Sequence, residues 1–212
     1  MPIYLNLIKD MGISRLNQVW IADITYVRIQ TGFVVYLAAV LDACSRRAIG
    51  YAISANIDTA LTLKALHMAL NNRHPALGII HHSDQGVQYA SREYVEELKS
   101  HGFEISMSRK GNPYDNATME SFFKTLKYEE ACLCEYKTLA DVMNRLPYFI
   151  EQVYNLKRLH LALGYRPPDE FEELLVMKQN KREESCHTLL TLSVQPQGCS
   201  PQNDFSRNVD VL

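Results

Sequence analysis

The sequence predicts an α/β fold in which a mixed five-stranded sheet is flanked by helices. Five segments rich in β-branched and aromatic residues are interleaved with segments of helical periodicity, in the order βββαβαβα. The first three predicted strands follow one another through short turns, which indicates an antiparallel meander. The later strands alternate with helices, which is typical of an α/β sheet covered on both faces.

Composition limits the function classes that fit this fold. The chain has 212 residues, of which 47% are hydrophobic, as expected for one domain with a tail. Its formal net charge of -2 excludes DNA binding by bulk positive charge, so any DNA contact is expected from local patches or from a part that this sequence does not contain. The five cysteines are odd in number and irregularly spaced, which predicts reduced thiols and neither a disulfide framework nor a zinc site. Since no apolar run approaches membrane-spanning length and no signal pattern opens the chain, we expect a cytoplasmic protein.

The first three predicted strands cover residues 19–29, 33–41 and 46–54. The second is a continuous apolar run, as expected for a central strand covered on both faces. Asp23 lies in the middle of the first strand, where Asp is depleted because it is charged and competes for its own backbone. A buried acid there requires a partner, a metal or a functional role. The alternative is an edge strand with Asp23 facing water.

A second acid follows the fourth predicted strand. Asp84 projects from the carboxyl end of that strand, a common position for a ligand site in α/β sheets. The alternative is that Asp84, two residues before Gly86, only forms a turn. This fourth strand covers residues 78–82 and follows a helix that Asn56 or Asp58 caps and that ends near residue 72. After Asp84 we expect a helix over 92–100 and a fifth strand over 103–107.

A third helix is predicted from Asn112, as N-cap, to about residue 129, with Pro113 at the first helical position. Beside the apolar stripe of this helix runs a second stripe with Asn116, Glu120 and Lys127, since residues four and seven apart share a helix face. Glu120 is therefore expected beside the core, although a solvated helix surface is the alternative for both Glu120 and Lys127. The apolar stripe itself consists of Met119, Phe122, Phe123 and Leu126.

Several motifs in a fixed order give the chain a specific resemblance. They are the run from Trp20 to Tyr26, the run from His82 to Gly86 with Gln88 and Tyr89, the run from Ser106 to Ala117 with Glu120 to Phe123, Lys127, and a later set made of Tyr154, Asn155, Arg158, His160, Leu163 to Tyr165, Pro167 and Pro168. Over residues 17–175 the chain resembles the retroviral-integrase-like catalytic core of bacterial insertion-sequence transposases of the IS-three group. The resemblance implies an RNase H-like fold.

The same resemblance implies a DDE catalytic triad formed by Asp23, Asp84 and Glu120. These carboxylates would bind two Mg²⁺ or Mn²⁺ ions, with Asp23 bridging both ions and the other two acids each binding one. Water would cleave at an element end, and the freed 3′ hydroxyl would then attack another phosphate. Lys127 would lie over the DNA strand near the scissile phosphate.

Further DNA contacts are expected from basic and polar side chains around this site, namely Arg109, Lys110, Asn116, Lys124, Lys127, Lys157 and Arg158. Lys157 and Arg158 lie between aromatic residues, which suits a phosphate-contacting surface, although this segment could instead fold back onto the core. The expected partners are transposon ends, target DNA and further copies of the chain. The expected location is the bacterial nucleoid.

The chain is predicted to consist of a lead-in (1–17), the catalytic core (18–135), a helical extension (136–176) and a flexible tail (177–212). Thr138 or Asp141 can cap the main helix of the extension, and Pro147 is expected to kink it. We see no room for a helix-turn-helix module before the first strand, so element ends would be recognised by a separate chain. Two alternatives remain: a non-catalytic fragment that binds DNA or transposase and inhibits it, and a nuclease for RNA–DNA hybrids.

Overall fold

The computed structural model describes the backbone of residues 3–108 and 116–192, and side chains as far as residue 181. The chain divides into two compact units, Met1–Glu173 and Leu174–Leu212. All elements that position the candidate site lie in the first unit. The predicted N-cap Asn112 and helix start Pro113 fall outside the described residues.

A five-stranded mixed sheet in the order β3-β2-β1-β4-β5 forms the centre of the first unit. Its strands are β1 (Val19–Arg28), β2 (Val34–Asp42), β3 (Ala48–Ser54), β4 (Ile80–Ser83) and β5 (Glu104–Met107). The first three strands pair antiparallel, and β4 and β5 join in parallel beside β1. The predicted order and meander are confirmed. Because β1 is the central strand, Asp23 does not lie on an edge strand.

Two helices cover one face of the sheet. Helix α1 (Thr59–Arg73) begins after Asp58, whose carboxylate accepts a hydrogen bond from Leu61 N at 2.9 Å. Helix α2 (Arg92–Ser100) is capped by Ser91 in the same manner. Both caps satisfy backbone donors that the first helical turn leaves free. The core on this face contains Trp20 and Ala22 of β1 together with the apolar faces of α1 and α2.

The opposite face of the sheet is covered by the helices that follow β5. Helix α3 (Ala117–Leu126) continues into a π-helical turn (Lys127–Ala131), and helix α4 (Leu139–Tyr148) continues into a second one (Phe149–Asn155). The α4 N-terminus has the predicted cap, with Thr138 and Asp141 forming a capping box. At Pro147 a backbone donor is missing, and the helix changes from α to π two residues later instead of ending.

The last helix, α5 (Pro168–Leu192), begins on the first unit. There Asp169 pairs with Arg47 and Glu172 with Arg73, which anchors the helix start to the β2–β3 turn and to α1. The sequence predicted loss of regular structure from residue 177, but α5 runs on to Leu192. The charged run KQNKREES explains the difference, because Lys, Gln, Arg and Glu all favour helices.

Candidate active site

Asp23 is a half-buried acid in the centre of the sheet. Its Oδ1 accepts a hydrogen bond from Ile24 N at 2.7 Å, and its Oδ2 accepts one from Asn116 Nδ2 at 2.7 Å. The pKa of Asp23 is nevertheless raised from 3.8 to about 6, mainly by burial and to a smaller extent by the charges of Asp84 and Glu120. The ionised form of Asp23 is thus destabilised by its burial and by the neighbouring carboxylates.

Asp84 reaches the same end of the sheet from the neighbouring strand. Ile21 of β1 pairs with His82 of β4 in parallel register, so two residues further along each strand Asp23 and Asp84 lie at one level. The Asp84 Oδ1 accepts a hydrogen bond from Gly86 N at 2.9 Å, which closes the turn that the sequence allowed as an alternative. Asp84 therefore forms the turn and also lies beside Asp23.

Glu120 approaches from α3. One turn before it, Asn116 occupies the N-cap position and donates to Asp23, so the start of α3 is joined to the middle of β1. Glu120 lies on the same side of the helix and is exposed, whereas Met119 and Phe122 are fully buried against the sheet. In the structure the Asn116 side chain donates to the acid of β1, and its predicted DNA contact stays a prediction.

The three acids share one electrostatic site without forming a closed cage. Both Asp84 and Glu120 act on the pKa of Asp23, so each lies within range of its charge. Within 3–108 and 116–181, no three His, Cys, Asp or Glu side chains lie close enough together to bind one metal ion. The donor set consists of carboxylate oxygens, which are the ligands that Mg²⁺ prefers. These residues fit a divalent ion in chemistry, and one ion bound by all three acids would require a side-chain movement by at least one of them.

Lys127 is held at the edge of this site by an aromatic ring. Its Nζ lies 4.7 Å from the centroid of the Tyr26 ring, a cation–π contact. Tyr26 is 46% exposed, and Lys127 is half-buried. The contact fixes the lysine two helical turns from Glu120.

The other predicted DNA-contact residues differ in their surroundings. Lys124 and Lys157 are exposed. Arg158 is bound through its Nε and Nη2 to the carboxylate of Glu129, at 2.7 to 3.1 Å, so part of its charge is compensated. Arg109 and Lys110 fall outside the described residues.

Three neighbours of the acids were not singled out from the sequence. Tyr26 contacts Lys127, and Gly86 leaves space for the Asp84 carboxylate, because a Cβ on Gly86 would come within 2.8 Å of Asp84 Oδ1. The Tyr89 hydroxyl is buried near Asp23 and Asp84 and has no hydrogen-bond partner among the described residues. All three lie in motifs of the resemblance, which was the available signal.

The histidines before Asp84 are structural. His81 is buried and its Nε2 lies 2.9 Å from the Tyr94 hydroxyl, while His82 Nδ1 lies 2.8 Å from Ser106 Oγ. Burial lowers the pKa of His81 to about 3, which keeps its imidazole neutral. Both rings therefore hold β4 against α2 and β5.

In the part of the chain that the structure describes, no helix is long and apolar enough to cross a membrane.

Comparisons with known proteins agree with this geometry. Two family models, both described as integrase core domain, match residues 14–113 and 101–168. The chain is 42% identical to the transposase for insertion sequence element IS904 of Lactococcus lactis, over 74% of this chain and 62% of the relative. It is 41% identical to the transposase InsF for insertion sequence IS3A of Escherichia coli, over 81% of this chain and 60% of the relative. The chain thus spans somewhat less than two thirds of these relatives.

Solved structures with the same fold include retroviral integrases. The catalytic core domain of HTLV-2 integrase, in complex with magnesium, has a TM-score of 0.55 at 16% identity and covers 76% of this chain and 99% of its own. The catalytic core domain of BIV integrase has a TM-score of 0.54 at 16% identity, covering 77% of this chain and 99% of its own. The predicted RNase H-like fold is confirmed. The chain carries an integrase core domain, and over most of its length it is similar to insertion-sequence transposases.

Proposed function

We propose that this chain is the catalytic core of a DDE transposase, which cleaves DNA at element ends and joins the freed 3′ ends to target DNA. The observation that supports the proposal best is the raised pKa of Asp23, because burial and the charges of Asp84 and Glu120 act together on one carboxylate. A carboxylate whose pKa is raised by burial and by acids on other elements is typical of a site built for cations or proton transfer.

In this proposal the carboxylates of Asp23, Asp84 and Glu120 bind two divalent ions, Mg²⁺ or Mn²⁺. The ions would supply Lewis-acid stabilisation of the phosphodiester during attack and departure. Asn116 holds the Asp23 carboxylate in place through its hydrogen bond. The hydrogen bond from Gly86 does the same for Asp84. These contacts leave Glu120, on the exposed side of α3, as the acid that moves.

Basic side chains around the acids would hold the DNA backbone. Lys127, supported by Tyr26, would contact the phosphate nearest the acids, and Lys124 would contact a neighbouring one. Lys157, Arg158, Arg109 and Lys110 complete the proposed DNA-contact set. With a formal net charge of -2 for the chain, these local contacts would supply most of the affinity.

The proposed partners are transposon ends, target DNA and further copies of this chain assembled on paired ends. A separate helix-turn-helix-bearing chain is proposed to recognise the element ends. The proposed place of action is the bacterial cytoplasm, at the nucleoid.

A strand-transfer assay tests the function. Pre-cleaved element ends are incubated with target DNA and Mn²⁺, and joined products are measured for the parent, Asp84→Asn and Asp58→Asn. The parent and Asp58→Asn are expected to join DNA, because Asn caps α1 as well as Asp does. Asp84→Asn is expected to lose joining by at least a hundredfold. Equal inactivity of all three proteins, with DNA binding retained, would refute the enzyme and support the non-catalytic inhibitor.

A further inference from the structure

A basic pocket of about 630 Å³ lies beside Ser121 of α3, and of its lining residues only Arg158 belongs to the proposed DNA-contact set. Its lining includes two arginines, a histidine, a serine and a tyrosine, namely Arg46, Arg158, His160, Ser121 and Tyr165. All of these side chains can donate hydrogen bonds, and no acidic side chain lines the pocket. Such a lining selects an anion.

Arg46 is the cation of this pocket that has no partner. Among the described residues, its guanidinium makes no hydrogen bond or ion pair, whereas Arg158 is bound to Glu129. The β2–β3 turn holds the Arg46 backbone in the left-handed region, at a φ of 61°. Within this turn the buried Asp42 carboxylate accepts hydrogen bonds from the backbone of Cys44 and Ser45. A rigid turn thus presents an uncompensated positive charge to the pocket.

His160 adds a buried ring nitrogen, which donates a hydrogen bond in the tautomer that carries the proton on Nε2. His160 is 7% exposed, and its Nε2 has no hydrogen-bond partner among the described residues. Burial and the charges of Arg158 and Arg46 lower the pKa of His160 to about 4, so the imidazole is neutral at pH 7. A buried ring nitrogen without a partner is costly, and a bound ligand would satisfy it.

The pocket is built onto the helix that carries Glu120. The His160 ring packs edge-on against Tyr154 at 5.0 Å, and Tyr154 packs edge-on against Phe122 of α3 at 4.7 Å. Ser121, which directly follows Glu120, forms part of the lining. Any anion in the pocket therefore lies next to the acid site, on the same rigid helix.

We propose that this pocket binds one phosphodiester group of the DNA strand that runs along α3, through Arg46, His160 and Ser121. The rim fits the neighbouring sugars and bases, because Leu159, Leu161 and Tyr165 are 58%, 71% and 67% exposed around a cationic centre. This inference rests on the proposed function, since it takes DNA as the ligand.

Binding to an element-end duplex, measured without divalent metal at several salt concentrations, tests the pocket. Arg46→Asn is the main variant because Asn tolerates a left-handed backbone. It is expected to weaken binding about tenfold and to reduce the slope of log K against log salt by about 0.9, the value for one lost phosphate contact. Arg92→Asn is the matched control: it removes the same charge from α2 and is expected to leave the slope unchanged.

A scan with single methylphosphonates, each of which neutralises one DNA phosphate, locates the contact. One position is expected to weaken binding of the parent about tenfold and to have no effect on Arg46→Asn. Ser121→Ala, which leaves the turn intact, is the second variant and is expected to weaken binding about threefold at the same phosphate. Melting temperatures equal to that of the parent show that both variants fold.

The proposal would be overturned if Arg46→Asn showed the same salt slope and the same methylphosphonate profile as the parent. It would also be overturned if the parent bound no DNA. Strand transfer separates this result from failure of the proposed function. A parent that joins DNA while Arg46→Asn binds normally refutes only the pocket. A parent that binds one phosphate through Arg46 but joins no DNA supports the pocket and refutes the enzyme.

Discussion

Asp23→Asn is expected to stabilise the protein in the absence of divalent metal while it abolishes strand transfer. The pKa of Asp23 is raised from 3.8 to about 6, mainly by burial and then by the charges of Asp84 and Glu120. At about 1.4 kcal/mol per pKa unit, the ionised carboxylate lowers the free energy of unfolding by about 3 kcal/mol. An asparagine of the same shape removes this penalty, and Asn116 Oδ1, which has no hydrogen-bond partner among the described residues, can accept from the new amide.

The pH dependence has a definite sign. Between pH 4 and 6 the folded parent binds more protons than the unfolded chain, so its stability falls as pH rises. The gain from Asp23→Asn is therefore expected to be about 3 kcal/mol at pH 8, or about 6–12 °C in melting temperature, and to disappear below about pH 4.

Urea unfolding, followed by the fluorescence of the single tryptophan, measures this effect. Trp20 is fully buried in β1, three residues from Asp23, and reports on loss of the core. Asp141→Asn is the matched control with the opposite sign, because hydrogen bonds from the backbone of Thr138 and Lys137 lower the pKa of Asp141. Asp141→Asn is thus expected to lose stability above pH 4. If Asp23→Asn were no more stable than the parent at pH 8, the acids would not be crowded as described.

Three further outcomes follow from contacts in the first unit. In a DNA-binding assay, Tyr26→Leu should bind about two- to fivefold more weakly than the parent, because it removes the cation–π contact to Lys127. Tyr26→Phe keeps the aromatic ring and should bind as the parent does. Gly86→Ala should lower Mn²⁺ affinity about tenfold by calorimetry with an unchanged melting temperature, because its Cβ displaces the Asp84 carboxylate; unchanged affinity would contradict this role. Asn155→Leu should lower the free energy of unfolding, measured in urea, by about 3 kcal/mol, because it removes the side chain that bonds the backbone N–H and C=O of Ala48 in β3. A decrease below about 1 kcal/mol would contradict this role.

Regular elements were predictable from the sequence because their signals are local. The β-branched and aromatic run of β1, the apolar run of β2 and the caps Asp58 and Thr138 each act over a few residues, and each recurs in the structure within one or two positions. The π-helical turns after α3 and α4 could not be predicted, because their hydrogen bonds depend on packing and not on periodicity.

The sequence predicts which residues belong to the candidate site but not which contacts they make. Asp23 breaks a local preference as a mid-strand acid, whereas Asp84 suits a turn and Glu120 suits a helix surface, so the resemblance, and not the local pattern, marks these two acids. The hydrogen bond from Asn116 to Asp23 joins residues 93 positions apart and has no local signal. The same holds for the ion pair that binds Arg158 to Glu129, 29 positions away.

The central claim is that the carboxylates of Asp23, Asp84 and Glu120 converge on divalent metal. Crystals of the protein soaked in Mn²⁺ and measured at the manganese absorption edge test this most directly. We expect anomalous density within about 2.0–2.4 Å of carboxylate oxygens from all three acids, lost in crystals of Asp23→Asn. Manganese density elsewhere, or none at these acids under saturating Mn²⁺, would contradict the claim.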